Sequence, residues 1–151
     1  MSMVERDYIL RMIQQLAQAI ARIVGLKREE KLDEALAVLR ETADGIFGPL
    51  GRTLDALDAR SAASLLGSFE KVDAYARLTG EEASIHELGG AERRSRACYL
   101  RALELHLEAA RLERSPSAET RAAITALRPK VEEARLSARY REALAVLYLA
   151  R

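Results

Sequence analysis

The sequence predicts an all-α fold built from antiparallel helical hairpins. Apolar residues make up 49% of the 151 residues, and most of them are leucine or alanine, the latter being the strongest helix former. Aromatic residues, which strands favour, amount to only 5%. Apolar positions recur at helical intervals of three and four along most of the chain. We therefore expect no strands, and a chain of this length fits one domain over residues 1–151.

The first predicted helix begins after Asp7, a favourable N-cap residue, and ends near Gly25. One apolar stripe with alternating spacings of four and three runs along it, formed by Ile9, Ile13, Leu16, Ile20 and Ile23. Two interpretations of the stripe stay open. It either packs in the core or forms a seam for a partner or a second copy, because coiled-coil interfaces use the same spacing.

A second helix is expected over residues 28–43, with Gly45 after its end. Residues 45–51 hold three glycines and a proline and are predicted to be a loop, from which Phe47 fills the core. A short helical turn over residues 53–57 follows.

The middle of the chain predicts two longer helices. Asp58 is expected to cap a helix over residues 59–78, which Thr79-Gly80 ends or kinks. Gly89-Gly90 predicts a turn, and residues 91–114 form the next helix.

The last third of the chain is divided by two prolines. Ser117 follows the first of them and is predicted to cap a helix that begins at Ala118. Pro129 must start a new helix or kink this one. The final helix, which includes Val131, is apolar as far as Arg151, and this predicts docking of the chain end on the core or on another subunit.

Internal similarity points to repeated hairpins. The hexapeptide Glu-Ala-Leu-Ala-Val-Leu occurs at residues 34–39 and again at 142–147. Both copies resemble the start of a second helix of a tetratricopeptide repeat, where a large residue stands three positions before a small one. The small positions Ala35, Ser95 and Ala143 are not separated by multiples of about 34 residues, which excludes a regular array.

One segment resembles the repeat more closely, with a glycine turn followed by a small residue, an aromatic residue and Ala-Leu-x-Leu. Its residues are Leu88, Gly89, Gly90, Ser95, Tyr99, Ala102, Leu103 and Leu105. Together with residues 7–16 and the helical hairpin that follows them, this segment resembles a family of small uncharacterised bacterial proteins. The resemblance implies a degenerate tetratricopeptide-like fold and brings no activity with it.

Charge and composition restrict the classes of partner. With 24 basic and 23 acidic residues the net charge is +1, which argues against nucleic acid or an anionic membrane as the partner. The apolar stretch over residues 8–26 is interrupted by Arg11, Arg22 and three glutamines, too polar for a membrane span. Because Cys98 is the only cysteine and no targeting segment is recognised, we expect a cytoplasmic protein.

Catalytic and metal signatures are absent from the sequence. Cys98, His86 and His106 are the only soft metal-ligand candidates, and none belongs to a Cys-x-x-Cys or His-x-x-x-His motif. No nucleophile elbow or phosphate loop occurs. We therefore predict no catalytic, cofactor-binding or metal-binding residues, and no enzyme.

The densest positive cluster is Arg93-Arg94 with Arg96, and Arg101 follows one or two turns later. Glutamates on the same helix predict a solvated face with ion pairs four residues apart. A site for an anion or an acidic peptide is the alternative, to which Arg135, Arg139 and Arg141 could contribute only if the last helix packs nearby.

These features predict a non-enzymatic interaction protein that binds a protein or peptide in a groove between hairpins. A homodimer is expected because both terminal helices are apolar. The alternative is a small helical ligand-binding protein or enzyme with a site near Glu82, His86, Cys98 and Tyr99.

Overall fold

The computed structural model describes residues 2–149, with Leu149 described by its backbone alone. Within this range there are eight α-helices, two 3-10 turns and no strand, which confirms the all-α prediction. The helices are α1 (Met3–Arg28), α2 (Leu32–Phe47), α3 (Leu50–Ala56), α4 (Ala59–Leu66), α5 (Phe69–Leu88), α6 (Glu92–Leu112), α7 (Ala118–Leu127) and α8 (Ala138–Leu149). None of these helices is long and apolar enough to cross a membrane.

The antiparallel hairpin of α5 and α6 forms the middle of the structure. Both helices of the α1/α2 hairpin contact α5, whereas α4, α7 and α8 contact α6. Lys27 at the end of α1 holds the first hairpin in place, since its Nζ lies 2.9 Å from Oε1 of Glu81 and 3.0 Å from Oγ of Ser84 on α5. The core therefore lies on both faces of the central hairpin.

A seam of small residues allows α5 and α6 to approach closely. Ala83 and Ala102 are fully buried, and a Cβ atom at Gly80 would lie 3.9 Å from the Cβ of Ala102. Near one end of the seam, Ser95 Oγ donates a hydrogen bond of 3.0 Å to the carbonyl oxygen of Ala83. The predicted helix end at Thr79-Gly80 is wrong, because α5 continues through both residues to Leu88 and Gly80 packs against α6.

In the first hairpin, too, glycine residues led to helix ends being predicted at the wrong positions. Helix α1 begins at Met3, where Ser2 Oγ accepts a hydrogen bond of 3.1 Å from the Glu5 amide, and it continues past Gly25 to Arg28. Helix α2 passes through Gly45, at which a Cβ atom would lie 2.9 Å from Nε2 of Gln15 on α1. The expected cap at Asp7 and the ends at Gly25 and before Gly45 are wrong.

The predicted loop over residues 45–51 is mostly helical. Only Gly48 and Pro49 separate α2 from α3, which is longer than the turn predicted over residues 53–57. Phe47 is buried as predicted, although it lies at the end of α2, and its ring meets that of Tyr75 edge-on at 5.6 Å.

The helix predicted over residues 59–78 is two helices. Asp58 caps α4 as expected, its Oδ1 accepting a hydrogen bond of 2.8 Å from the Ser61 amide. Gly67 then adopts a left-handed conformation with φ of 76°, and Ser68 caps α5. The left-handed glycine ends α4 because a residue with a side chain would be strained there.

The hairpin turns after α1 and α5 have the same backbone geometry. Lys31 N donates to Leu26 O at 2.9 Å, and sixty residues later Ala91 N donates to His86 O at 2.9 Å. The left-handed residue is Glu30 (φ 59°) in the first turn and Gly90 (φ 78°) in the second. Both turns are Schellman motifs, and the predicted turn at Gly89-Gly90 is confirmed.

At the C-terminal end the predicted cap at Ser117 is confirmed, and α7 begins at Ala118. Pro129 lies in a 3-10 turn, Arg128–Lys130, and α8 starts only at Ala138, so Val131 does not belong to the last helix. Leu144 and Leu147 of α8 are buried. The prediction for the chain end at 150–151 lies outside the described residues.

The apolar stripe of α1 is divided between core and surface. Leu16 and Ile23 are buried and Ile20 packs against the core. Ile13 is 42% exposed, and Leu10 beside it is 53% exposed. The core interpretation therefore accounts for the second half of the stripe and not for its beginning.

Candidate functional site

A groove of about 700 Å³ lies between the end of α6, the start of α7 and α8. We call it the C-terminal groove. Its apolar lining consists of Leu107, Ala110, Pro116, Ala143, Val146 and Leu147. Val146 is 65% exposed, whereas Leu147 beside it is buried. The groove thus presents apolar side chains that the fold itself does not cover.

A buried ion pair fixes the floor of the C-terminal groove. Glu108 on α6, with a side chain only 6% exposed, accepts hydrogen bonds from Nε and Nη2 of Arg139 on α8 at 2.9 and 2.8 Å. Tyr140 OH donates a further bond of 2.8 Å to Glu108 Oε2. Burial alone would raise the pKa of Glu108, but the bonds from Arg139 and Tyr140 outweigh it and hold the pKa below its usual range. Since both oxygens of Glu108 are satisfied, this pair positions α8 against α6.

Arginine side chains surround the groove. Arg111, Arg114, Arg121 and Arg139 line it, against Glu113 and Glu142. Arg121 donates to the carbonyl oxygen of Leu147 at 2.9 Å, and Glu113 accepts a bond of 2.8 Å from Thr120 Oγ1. Arg111 and Arg114 are exposed on the rim. The exposed charges of the rim are therefore two arginines, Arg111 and Arg114, and one carboxylate, Glu142, beside an apolar floor.

Three arginines of the cluster predicted on α6, Arg93, Arg96 and Arg101, line one cleft. Arg96 pairs with Glu92 at 3.1 Å four residues earlier, in agreement with the solvated-face interpretation. Arg93 and Arg94 are exposed. Arg135 lines the same cleft, whereas Arg139 is held by Glu108 elsewhere.

Arg101 does not belong to a free cluster, because it connects α6 with the bend between α3 and α4. Its Nη1 and Nη2 donate to the carbonyl oxygens of Leu57 and Leu54, each at 2.7 Å, and Nη2 also lies 2.8 Å from Tyr75 OH. Asp55 Oδ1 accepts from the same tyrosine at 2.7 Å. These contacts satisfy the end of α3, so Arg101 has a structural role.

Three of the four residues named for an alternative site lie together. Glu82 and His86 are one turn apart on α5, Cys98 faces them from α6, and their ligand atoms lie within 4.8 Å of one another. Cys98 Sγ donates a hydrogen bond of 3.2 Å to Glu82 Oε2. Burial, reinforced by the Glu82 carboxylate, raises the pKa of Cys98 to about 12.

The fourth residue, Tyr99, points away from this cluster. Its hydroxyl donates to Glu87 Oε1 at 3.1 Å, and Lys130 Nζ lies 5.5 Å from the centre of its ring. Tyr99 thereby connects the α5/α6 hairpin with the 3-10 turn after α7. The prediction that Tyr99 shares a site with Glu82 is not supported by this arrangement.

His106, the other histidine, lies apart from Cys98 in the interior. It is 3% exposed, and its Nδ1 has no hydrogen-bond partner within the described residues. The nearest carboxylate oxygen, from Asp73, is 3.9 Å away. Burial, with a contribution from Arg77, lowers the pKa of His106 to about 4, so the imidazole is neutral at physiological pH.

Two signals for these sites are visible in the sequence. Glu82 and His86 stand four residues apart, which places both on one face of a helix. Pro116 breaks the chain between α6 and α7 and thereby opens the C-terminal groove. The groove itself was missed because it depends on how α8 packs back onto α6.

Comparison of the chain with protein-family models, with curated proteins and with solved structures finds no match. The resemblance to a bacterial tetratricopeptide-like family stays a prediction. Function has to be argued from the groove, the clusters and the exposed faces described above.

Proposed function

We propose that this protein is a non-enzymatic interaction domain whose C-terminal groove binds a short amphipathic helix with an acidic flank from a partner protein. The observation that carries the proposal is the exposed Val146 beside a buried floor, bordered by Arg111 and Arg114. Apolar surface that a fold leaves open and surrounds with charge is characteristic of binding sites.

The dimensions of the groove fit side chains of a helix. A volume of about 700 Å³ accommodates a few large apolar side chains, such as those at positions i, i+3 and i+7 of a docked helix. Carboxylates on the flank of that helix would meet the rim arginines, which favours an acidic partner over a basic one.

The repeated turn geometry favours a tetratricopeptide-like hairpin stack. Ala35 and Ser95 stand at the same place after the two Schellman turns, their amides donating to Lys31 O and Ala91 O at 3.0 and 2.9 Å. Both are buried small residues, as close hairpin packing requires. We infer that α3 and α4 are an insertion between two related hairpins, which lengthens the spacing between Ala35 and Ser95.

The test uses designed helical peptides that carry leucines on one face and glutamates on both flanks, and a second set with lysines in place of the glutamates. We expect fluorescence anisotropy to detect binding of the glutamate set and at least tenfold weaker binding, in order of magnitude about 1.4 kcal/mol, for the lysine set. Val146→Glu should abolish binding because it places a carboxylate on the apolar floor.

Leu65→Glu is the matched control, since it makes the same kind of change at an exposed apolar position on α4, outside the groove. It should leave peptide binding unchanged. Equal loss in both variants, or equal binding of the two peptide sets, would overturn the groove as the binding site.

A further inference from the structure

We propose that Glu82, His86 and Cys98 bind one Zn²⁺ ion with a water molecule as the fourth ligand. The three side chains come from two helices of the central hairpin, and they supply one carboxylate, one imidazole and one thiolate. This proposal is independent of the C-terminal groove and departs from the metal-free prediction made from the sequence.

The distances between the ligand atoms are already close to those around a tetrahedral zinc ion. Zinc binds sulfur at about 2.3 Å and carboxylate oxygen at about 2.0 Å, so the two ligand atoms lie roughly 3.5 Å apart around the ion. Cys98 Sγ and Glu82 Oε2 are 3.2 Å apart. All the ligand atoms of the cluster lie within 4.8 Å of one another. Rotation of the side chains can shorten these distances toward about 3.5 Å.

The backbone holds two of the ligands in register. Glu82 and His86 are separated by one turn of α5, so both side chains project from the same face toward α6. The small-residue seam at Ala83 and Ala102 keeps α6 close enough for Cys98 to face them. All three ligands are half-buried, which leaves one side open to a water molecule.

The donor set selects the class of metal. A thiolate and an imidazole favour Zn²⁺, Co²⁺ and similar transition ions over Mg²⁺ and Ca²⁺, which take oxygen ligands. In the structure the Cys98 thiol donates its proton to Glu82 in a hydrogen bond. When the metal ion binds, the thiol releases this proton to solvent. One thiolate, one carboxylate and a neutral imidazole then balance the charge of the divalent ion.

The experiment titrates Co²⁺ into the untagged full chain under reducing, chelator-free conditions. We expect a thiolate-to-cobalt charge-transfer band and the visible bands of tetrahedral cobalt, saturating at one ion per chain. Zn²⁺ should displace the cobalt and raise the melting temperature, whereas Mg²⁺ should do neither.

Cys98→Ser should remove the charge-transfer band and weaken zinc binding, measured by competition with a chromophoric chelator, by more than about tenfold. His86→Gln should weaken it similarly. Glu87→Gln is the matched control, because Glu87 neighbours His86 on α5 but pairs with Lys130. Circular dichroism verifies that each variant is folded.

Two results would overturn the proposal. One is the absence of a charge-transfer band in the folded wild-type chain. The other is zinc affinity that is unchanged in Cys98→Ser, which would assign any bound ion to surface carboxylates. Neither result bears on peptide binding in the C-terminal groove, so the two proposals fail separately.

Discussion

At the scale of single residues, His106 shows how burial sets a protonation state. Its imidazole lies inside the α5/α6 layer, its Nδ1 has no hydrogen-bond partner among residues 2–149, and the charged groups facing it from α5 are Asp73 and Arg77. The side chain is buried and Asp73 is too distant for a hydrogen bond, so the charged imidazolium is disfavoured in the folded protein.

We predict that His106 makes the protein less stable in acid. The pKa of His106 is near 6.5 in the unfolded chain and about 4 in the folded protein. As the pH falls from 6.5 toward 4, the unfolded chain binds a proton that the folded protein does not bind, so stability is lost. The loss between pH 7 and pH 5 amounts to about 2 kcal/mol. Urea denaturation at both pH values measures it.

His106→Leu supplies the comparison, since it keeps a side chain of similar size without a titrating group. Burial raises the pKa of Asp73, an effect of opposite sign, but Asp73 is present in both proteins and cancels in the difference. The wild type should lose about 2 kcal/mol more than His106→Leu on acidification. Equal losses would show that His106 is not desolvated.

At the scale of helices and turns, the residues that were predicted correctly have purely local effects. Asp58 and Ser117 bond to backbone amides three residues ahead, and Gly90 needs a left-handed conformation. Those interactions depend on the neighbouring chain alone. Gly45 and Gly80 were misread because their reason lies in the facing helix, which the local pattern does not contain.

The two equivalent hairpin turns lead to a prediction on stability. Glu30 occupies the left-handed position that Gly90 occupies in the second turn. We expect Glu30→Gly to raise the free energy of unfolding by about 0.5–1 kcal/mol, because a side chain is strained in this conformation. Gly90→Ala should lower it by about 1 kcal/mol.

Chemical denaturation of the two variants beside the wild type measures both effects, with circular dichroism at equal protein concentration. The opposite signs form the internal control, since each variant changes the same position of the same motif. A loss of stability in Glu30→Gly would contradict the assignment of a strained Schellman turn after α1.

At the scale of the whole molecule, α1 carries more apolar surface than the core uses. Met3, Leu10 and Ala17 recur every seven residues, and Ile13 follows Leu10 on the same side. All four are exposed in the single chain. Heptad spacing on an exposed helix is typical of a seam between helices of two subunits.

We therefore predict a homodimer formed through this face of α1. Light scattering at micromolar concentration should give about twice the chain mass of 16.8 kDa. Leu10→Glu should give the monomer mass, because it places like charges across the seam. Val146→Glu, which changes the groove, should remain dimeric. A monomeric wild type would contradict the prediction.

The candidate sites were predictable only in part. Glu82, His86 and Cys98 were named from the sequence as a place to look, and the turn at Gly90 explains why they meet. Tyr99 was assigned to the same place, although successive helix positions point about 100° apart. The C-terminal groove depends on the contact between Glu108 and Arg139, thirty-one residues apart, which no local pattern encodes.

The seam between α5 and α6 has a consequence for how this chain tolerates change. Ala83 lies next to Glu82, and Ala102 lies one turn beyond Cys98. A larger side chain at either alanine would push the two helices apart and move the Cys98 thiol away from the Glu82 carboxylate without altering either group. The proposed zinc site therefore depends on side chains that have no donor atoms at all.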